Sequence, residues 1–176
     1  MIKNFRPALC VLQVIGMLLF LPLARGDMVF STLVTFNETN GALPMTGLLL
    51  ARDGNLYGTT YEGGAYMKDS EYGVGYGTVF KISPEGKFTT VTSLTAGTHP
   101  GGNLVQGADG NIYGTTLQGG DLGDGTIFKM SPDGNTTRLY SFGAYDEHGG
   151  ANTNGWEPVR LLEGKDGNFY GITADR

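Results

Sequence analysis

The chain has 176 residues, with 12 Lys and Arg against 17 Asp and Glu, 30 glycines and a single cysteine. The acidic balance argues against a nucleic-acid partner, because phosphate binding needs a basic surface. One cysteine excludes an internal disulfide framework, and the glycines signal many tight turns.

Met1 to Gly26 reads as an export leader: Lys3 and Arg6, then the apolar run from Ala8 to Leu23, then Ala24-Arg25-Gly26 as a small-x-small cleavage site. The run is 16 residues long and contains Gln13 and Pro22. A membrane-spanning helix needs about 20, so cleavage, with no membrane insertion afterwards, is the expectation. Cys10 falls inside the leader. Without Lys3, Arg6 and Arg25 the remaining domain, 27–176, holds 9 basic and 17 acidic residues, a formal charge of −8.

Past the leader no window carries the apolar period of a helix. Strand-like runs appear instead, beginning with STLVTF at 31–36. A phrase then occurs three times, as DGNLYGTT at 53–60, DGNIYGTT at 109–116 and DGNFYGIT at 166–173. A second phrase follows the first two copies, as GTVFKISPEGKFTTVTSL at 77–94 and GTIFKMSPDGNTTRLYSF at 125–142. Short apolar runs precede each copy of the first: GLLLA at 47–51, NLVQG at 103–107 and VRLLEG at 159–164. Each full unit is therefore a meander of four strands, A to D. The units span approximately 47–94, 103–142 and 159–176, with 31–36 matching an outer D strand that would close a ring. Asp-Gly in the A–B connection suggests a two-residue type I′ hairpin. Pro84-Glu85-Gly86 and Pro132-Asp133-Gly134 suit a type I turn closed by glycine in the C–D connection.

The spacings separate two kinds of connection. From A to B, Leu48 to Leu56, Leu104 to Ile112 and Leu161 to Phe169 are each 8 apart, and from C to D, Phe80 to Val91 and Phe128 to Leu139 are each 11 apart. From B to C the step is 24 in one unit (Leu56 to Phe80) and 16 in the next (Ile112 to Phe128), and from D to A it runs 12, 10 and 19. In an antiparallel meander the two fixed connections share one end of the sheet and the two variable ones share the other. Variable loops on a constant scaffold are where binding chemistry is commonly placed.

Four-stranded, glycine-punctuated units of this length fit an all-β fold of β-propeller blades, each with four antiparallel strands. The ring is incomplete, at about two and a half to three blades where a closed propeller has about four to eight. The unfinished last unit favours a piece of a longer array, and the alternative is self-association of copies to complete the ring. Phe80 and Ile82, with Phe128 and Met130, give each blade an apolar face that only a neighbour can bury.

These phrases resemble the tandem repeat of the GloVer, choice-of-anchor family of secreted bacterial proteins. The matching residues are Asp53–Thr60 with Gly63-Gly64, Asp109–Thr116 with Gly119-Gly120, Gly77–Ile82 and Gly125–Met130. The resemblance covers about 31–173 and implies an exported or cell-surface propeller-like array. It implies no reaction and carries over no catalytic residue.

Candidate ligand-binding residues lie on the variable loops. YEGGAYMKDSEYGVGY at 61–76 offers Tyr66, Tyr72 and Tyr76; GAYDEHGGANTNGW at 143–156 offers Tyr145, Asp146, Glu147, His148 and Trp156. Rings beside carboxylates and amides suit sugars, since a ring face packs on C–H groups while polar neighbours take hydroxyls. Asp121 and Asp124 in GGDLGDGT are a weak metal candidate, because the glutamate that ends a calcium loop is missing. His99 reads as a lone loop residue. No G-x-S-x-G, H-E-x-x-H or Walker phrase is present, and no cofactor is expected. The leading expectation is a secreted or cell-surface binding module for carbohydrate or another surface protein. A polysaccharide hydrolase or lyase on a propeller scaffold and a purely structural array are the alternatives.

Overall fold

A computed structural model describes residues 10–13, 16–22, 28–66, 75–95, 99–143 and 155–174. Among them every regular element is a strand and every strand pair is antiparallel. β1 (Cys10–Gln13), β2 (Gly16–Pro22) and β3 (Met28–Thr32) form a first small sheet. Two four-stranded sheets follow: β4 (Leu49–Leu50), β5 (Leu56–Thr60), β6 (Thr78–Ile82) and β7 (Phe88–Ser93), then β8 (Val105–Gln106), β9 (Ile112–Thr116), β10 (Thr126–Met130) and β11 (Thr136–Ser141). β12 (Trp156–Glu163) and β13 (Phe169–Ala174) pair as a third, two-stranded sheet of the repeat. The two full sheets run in chain order, as the meander expected, and the fold is all-β with propeller-type sheets.

Register confirms the separation of the two ends. Leu50 faces Leu56, Leu56 faces Ile82, and Ile82 faces Phe88, so the A–B and C–D hairpins of the first full sheet share one end. Thr60, Thr78 and Ser93 align at the other. The A–B turn itself differs from the type I′ expectation. Gly54 N donates to Ala51 O at 3.0 Å and Ala51 N donates to Asn55 O at 2.9 Å, which is a three-residue loop. Gly54 has φ +82°, but Asp53 is not at positive φ, as type I′ would require. The reason is the aspartate side chain. Asp53 Oδ1 accepts the Asn55 backbone N–H at 3.0 Å, and Oδ2 accepts from Asn55 Nδ2 at 2.7 Å and from the Tyr57 hydroxyl at 2.9 Å. An aspartate that folds back on the chain two residues ahead stabilises a turn of this longer kind. The same clasp recurs at Asp109-Asn111-Tyr113 and Asp166-Asn168-Tyr170.

The faces of each sheet alternate with the strand period. On one side of the first full sheet, Phe80 and Ile82 are buried with Val34, and Leu48, Leu56, Phe36 and Phe88 pack around them. On the other side, Ala51, Tyr57, Val79 and Leu94 meet Leu104, Ile112, Phe128 and Met130 of the second. Full burial of an aromatic or branched side chain contributes about 1.5–3 kcal/mol, so this seam is the main stabilising contact between units. The glycine inside DGN(L/I)YG is required by strand C. A Cβ on Gly58 would stand 2.5 Å from Phe80 Cζ, and one on Gly114 would stand 2.5 Å from Phe128 Cζ.

The expected strand at 31–36 is displaced. β3 ends at Thr32, and residues 33–37 have no regular structure. Leu33, Val34 and Phe36 instead pack on the side of the first full sheet that faces away from the second. Leu33 lies under the Gly86 turn as Val91 lies under the Gly134 turn, so the segment holds the place of an outer strand of a preceding sheet. β2 and β3 are joined by five residues, 23–27, the same length as the connections 83–87 and 131–135 between strands C and D.

Candidate functional site

The variable-loop end is anchored by repeated hydrogen bonds. Thr60 Oγ1 lies 2.8 Å from Thr78 Oγ1, accepts the Thr78 N–H at 3.0 Å, and donates to Glu62 O at 2.9 Å. Thr116 and Thr126 repeat the arrangement, with Gln118 O as acceptor. One step outward, Ser93 Oγ accepts Ala65 N–H at 3.0 Å and Ser141 Oγ accepts Asp121 N–H at 2.8 Å. Both glycine pairs, Gly63-Gly64 and Gly119-Gly120, have positive φ. The loops therefore start from fixed points whatever their length.

A second device at this end was not read from the sequence. Leu43, His99 and Glu157 have φ of +53°, +29° and +48°, and each precedes a buried proline, Pro44, Pro100 and Pro158. A residue before proline normally takes an extended conformation with negative φ, and non-glycine residues at positive φ are uncommon. Three occurrences at equivalent places mark a geometry the fold imposes. Leu43 O accepts Tyr61 N–H at 3.0 Å, and His99 O accepts Leu117 N–H at 2.9 Å. Leucine, histidine and glutamate thus occupy one recurring position with three different chemistries. The recurring X-Pro in each D–A connection was the signal available.

The middle position carries the most developed cluster. His99 stacks on Tyr61 with centroids 4.6 Å apart, and Tyr76 meets it edge-on at 6.2 Å. His99 Nδ1 lies 2.9 Å from Tyr61 O, a bond that fixes the ring when Nδ1 carries the proton. All three side chains are half-buried. His99 is therefore part of an aromatic group at the seam between the two full sheets and does not stand alone.

Tyr66 is exposed beside the anchored Ala65, and Tyr76 belongs to the cluster just described. Trp156 opens β12 at the same end and is half-buried. Tyr72, Tyr145, Asp146, Glu147 and His148 lie outside the described residues. Asp121 pairs with Arg138 at 2.8 Å, so its carboxylate already has a cation. Asp124 O accepts the Glu157 N–H at 3.0 Å across the next seam. Among the described residues no group of three His, Cys, Asp or Glu is placed to hold a metal.

Strongly shifted pKa values often mark functional sites, but here they mark the opposite, tight-turn end. Burial, reinforced by the bond to Asp53, pushes the Tyr57 hydroxyl up to about 12, and burial and Asp109 do the same to Tyr113, also to about 12. Burial alone would raise Asp53, but hydrogen bonds from Asn55 and Tyr57 outweigh it and hold the carboxyl below its usual range. Bonds from Asn111 and Tyr113 lower Asp109, and bonds from Tyr170 and Asn168 lower Asp166. These shifts belong to the turn clasp and to stability.

No helix among the described residues is long and apolar enough to cross a membrane. A search of curated proteins finds no match. Solved structures share the fold, among them two that each match over most of this chain. One is the extracellular domain of a hybrid two-component system protein from B. thetaiotaomicron, with TM-score 0.59 and 12% identity, covering 94% of this chain and 19% of that one. The other, described as a gluconolactonase, has TM-score 0.55 and 17% identity, covering 96% of this chain and 53% of that one. This chain thus spans about a fifth of the first and about half of the second. At such identities the likeness concerns the fold alone. The model of the Gloeobacter/Verrucomicrobia repeat matches residues 19–176, beginning within the apolar run near the N-terminus, and the chain belongs to that repeat family.

Proposed function

We propose that this β-propeller repeat module is exported and binds carbohydrate through its variable-loop end. The supporting observation is the Tyr61, Tyr76 and His99 cluster, seated on a fixed seam where repeat copies keep the backbone and change the side chain. Half-buried rings retain surface for a sugar's C–H face, and the neighbouring backbone and imidazole supply hydrogen-bonding groups for hydroxyls. Tyr66 and Trp156 stand at the same end and extend the aromatic surface. Binding without turnover is the expected behaviour. A panel of polysaccharides and oligosaccharides tested by calorimetry should yield a ligand whose affinity falls at least about tenfold, or 1.4 kcal/mol, in Tyr61→Ala and in His99→Ala. An unchanged affinity in both variants would move the site elsewhere, and time-dependent release of shorter glycans would make the protein an enzyme. Export rests on the leader at Met1–Gly26. Protein recovered outside the cytoplasm should begin near Asp27, and an intact Met1 there would refute the leader.

A further inference from the structure

The two full sheets are copies of one unit, but one place is packed with rings in the first and forms a cavity in the second. In the first, the ring of Phe36 meets Phe80 at 5.3 Å and Phe88 at 5.8 Å, and Phe80 meets Phe88 at 5.5 Å. Register fixes the counterparts. Ile82 pairs with Phe88 as Met130 pairs with Thr136, and Phe80 pairs with Thr90 as Phe128 pairs with Arg138. Leu33 and Val91 lie under equivalent glycine turns, so Phe36 corresponds to Leu94. The second sheet therefore has Leu94, Phe128 and Thr136 where the first has three phenylalanines, and Arg138 where the first has Thr90.

The backbone over this place in the first sheet is also close. Glu38 O accepts the Gly64 N–H at 2.7 Å, and Asn40 O accepts from Thr90 Oγ1 at 3.4 Å. Gly41 lies so near Thr60 that a Cβ would stand 2.6 Å from Thr60 Cγ2. Phe36 and Pro44, which flank this cover, are 8 residues apart, whereas Leu94 and Pro100 are 6 apart. The shorter connection and smaller side chains coincide with a cavity of about 390 Å³ lined by Leu94, Thr116, Thr126, Phe128, Thr136 and Arg138. Gly120, the counterpart of Gly64, also lines it, and among the described residues its N–H has no acceptor.

We propose that this cavity binds one uronic acid residue of an acidic glycan. Arg138 is the one charged residue among the described residues lining it. One guanidinium nitrogen bonds Asp121 Oδ1 at 2.8 Å, and the side chain is 52% exposed, so it keeps donors for a second carboxylate. Asp121 directly follows Gly120, so this pairing holds the guanidinium near the Gly120 N–H. A carboxylate between them takes the place that Glu38 O holds in the first unit. Leu94 and Phe128 offer apolar surface to a sugar's C–H groups. Thr116 gives its proton to Gln118 O, so Thr126 donates to Thr116 and keeps lone pairs for a sugar hydroxyl. Ligand pockets run from about 300 to 1,000 Å³, and this one, at the small end, suits a single ring. Tyr61, Tyr76 and His99 are not among its lining residues, so the proposal stands apart from the aromatic cluster.

The test is an amide NMR titration of the chain with galacturonic and glucuronic acids, with galactose and glucose, and with acetate. A uronic acid should bind saturably and move the Gly120 amide signal, while the neutral sugars and acetate bind at least about tenfold more weakly, the loss expected for a missing charged hydrogen bond. Arg138→Gln, at an exposed position, should weaken uronic acid binding by a similar factor. Thr136→Phe restores the ring that Phe88 supplies one unit earlier, and it should abolish binding while the β-sheet circular dichroism is kept. Tyr61→Ala and His99→Ala should leave it unchanged, whatever they do to other glycans. Absence of saturable binding by either uronic acid would overturn the proposal, as would acetate binding equally well, which makes this a simple anion site. Binding that survives in folded Thr136→Phe, or that is lost in Tyr61→Ala and His99→Ala, would overturn it too.

Discussion

The first two copies of the repeat phrase and the third have nearly the same letters but different surroundings. Tyr57 and Tyr113 are buried and Tyr170 is exposed, although all three bond an aspartate four residues earlier. Gly58 and Gly114 lie under phenylalanines of strand C; among the described residues no third strand pairs with β13 beside Gly171, and a Cβ there would meet only Arg160 O at 3.1 Å and Leu161 Cδ2 at 3.2 Å. Turn chemistry is thus local and survives without a neighbour, while burial is a property of stacking. In a repeat fold each unit's core is made jointly with the next.

The largest effect expected from this difference is at the stacked face. Phe80→Ala removes a ring with no exposed surface, buried with Val34 and Ile82, and should cost about 3–5 kcal/mol in urea unfolding. Leu162→Ala, on the open side of the third sheet, should cost under about 0.5 kcal/mol. Equal losses would mean that the third sheet is covered in solution. Next in size is crowding under strand C. Gly58→Ala and Gly114→Ala each force a methyl against a phenylalanine ring and should cost about 1–3 kcal/mol. Gly171→Ala should cost less, and a larger loss there would indicate that a strand from elsewhere covers the third sheet.

Much of this was legible in the sequence because the repeat shows the same constraint more than once. The constant step of 8 from Leu48 to Leu56 and from Leu104 to Ile112 marked a hairpin without reference to propensity, and Phe80 and Phe128 marked the stacked face. The turn type was misread because Asp-Gly suits two hairpin geometries. What separates them is the bond from Asp53 to Tyr57, four residues away and outside any dipeptide rule. His99 was missed for a related reason. Its ring partners, Tyr61 and Tyr76, come from the preceding unit across a seam, 38 and 23 residues back in the chain. The recurring pre-proline position was in plain view, but only coordinates reveal its positive φ.

The clasps predict a pH response common to all three copies, stacked or not. Asp53, Asp109 and Asp166 have folded-state pKa values below the ordinary one. Across that interval the unfolded chain binds more protons, so the stability they contribute is present above about pH 4. It is lost as pH falls through the folded values. Tyr57 and Tyr113 act in the opposite sense: raised to about 12, they contribute stability that is complete below about pH 10 and lost as pH rises past the folded value. The aspartates are largely exposed, so each contribution is small. Urea midpoints measured from pH 7 to pH 2 should fall, and the fall should flatten in the variant carrying Asp53→Asn, Asp109→Asn and Asp166→Asn. An unchanged acid limb in that variant would show that the clasps are not linked to folding.

The smallest difference separates the two full sheets themselves. Thr59 and Thr115 occupy the same place in strand B, both 1% exposed. Thr59 Oγ1 has Thr46 Oγ1 at 2.9 Å, whereas Thr115 Oγ1 has no hydrogen-bond partner. The counterpart of Thr46 is Gly102, where a Cβ would collide with Thr115 Oγ1 and stand 2.8 Å from Val159 O of the third sheet. The close approach of that sheet therefore removes the partner and leaves the hydroxyl buried. An unpaired buried hydroxyl costs about 1–3 kcal/mol, and a satisfied one contributes about 0.5–1.5 kcal/mol. Thr115→Val keeps the shape and the β-branching, so it should raise stability by up to about 1 kcal/mol, while Thr59→Val should lower it by a similar amount. The two substitutions are chemically identical, and opposite signs would isolate the effect of the neighbouring sheet. A loss in both would mean that an ordered water bonds Thr115, since such a site needs two or more polar partners and Val159 O is close enough to be one.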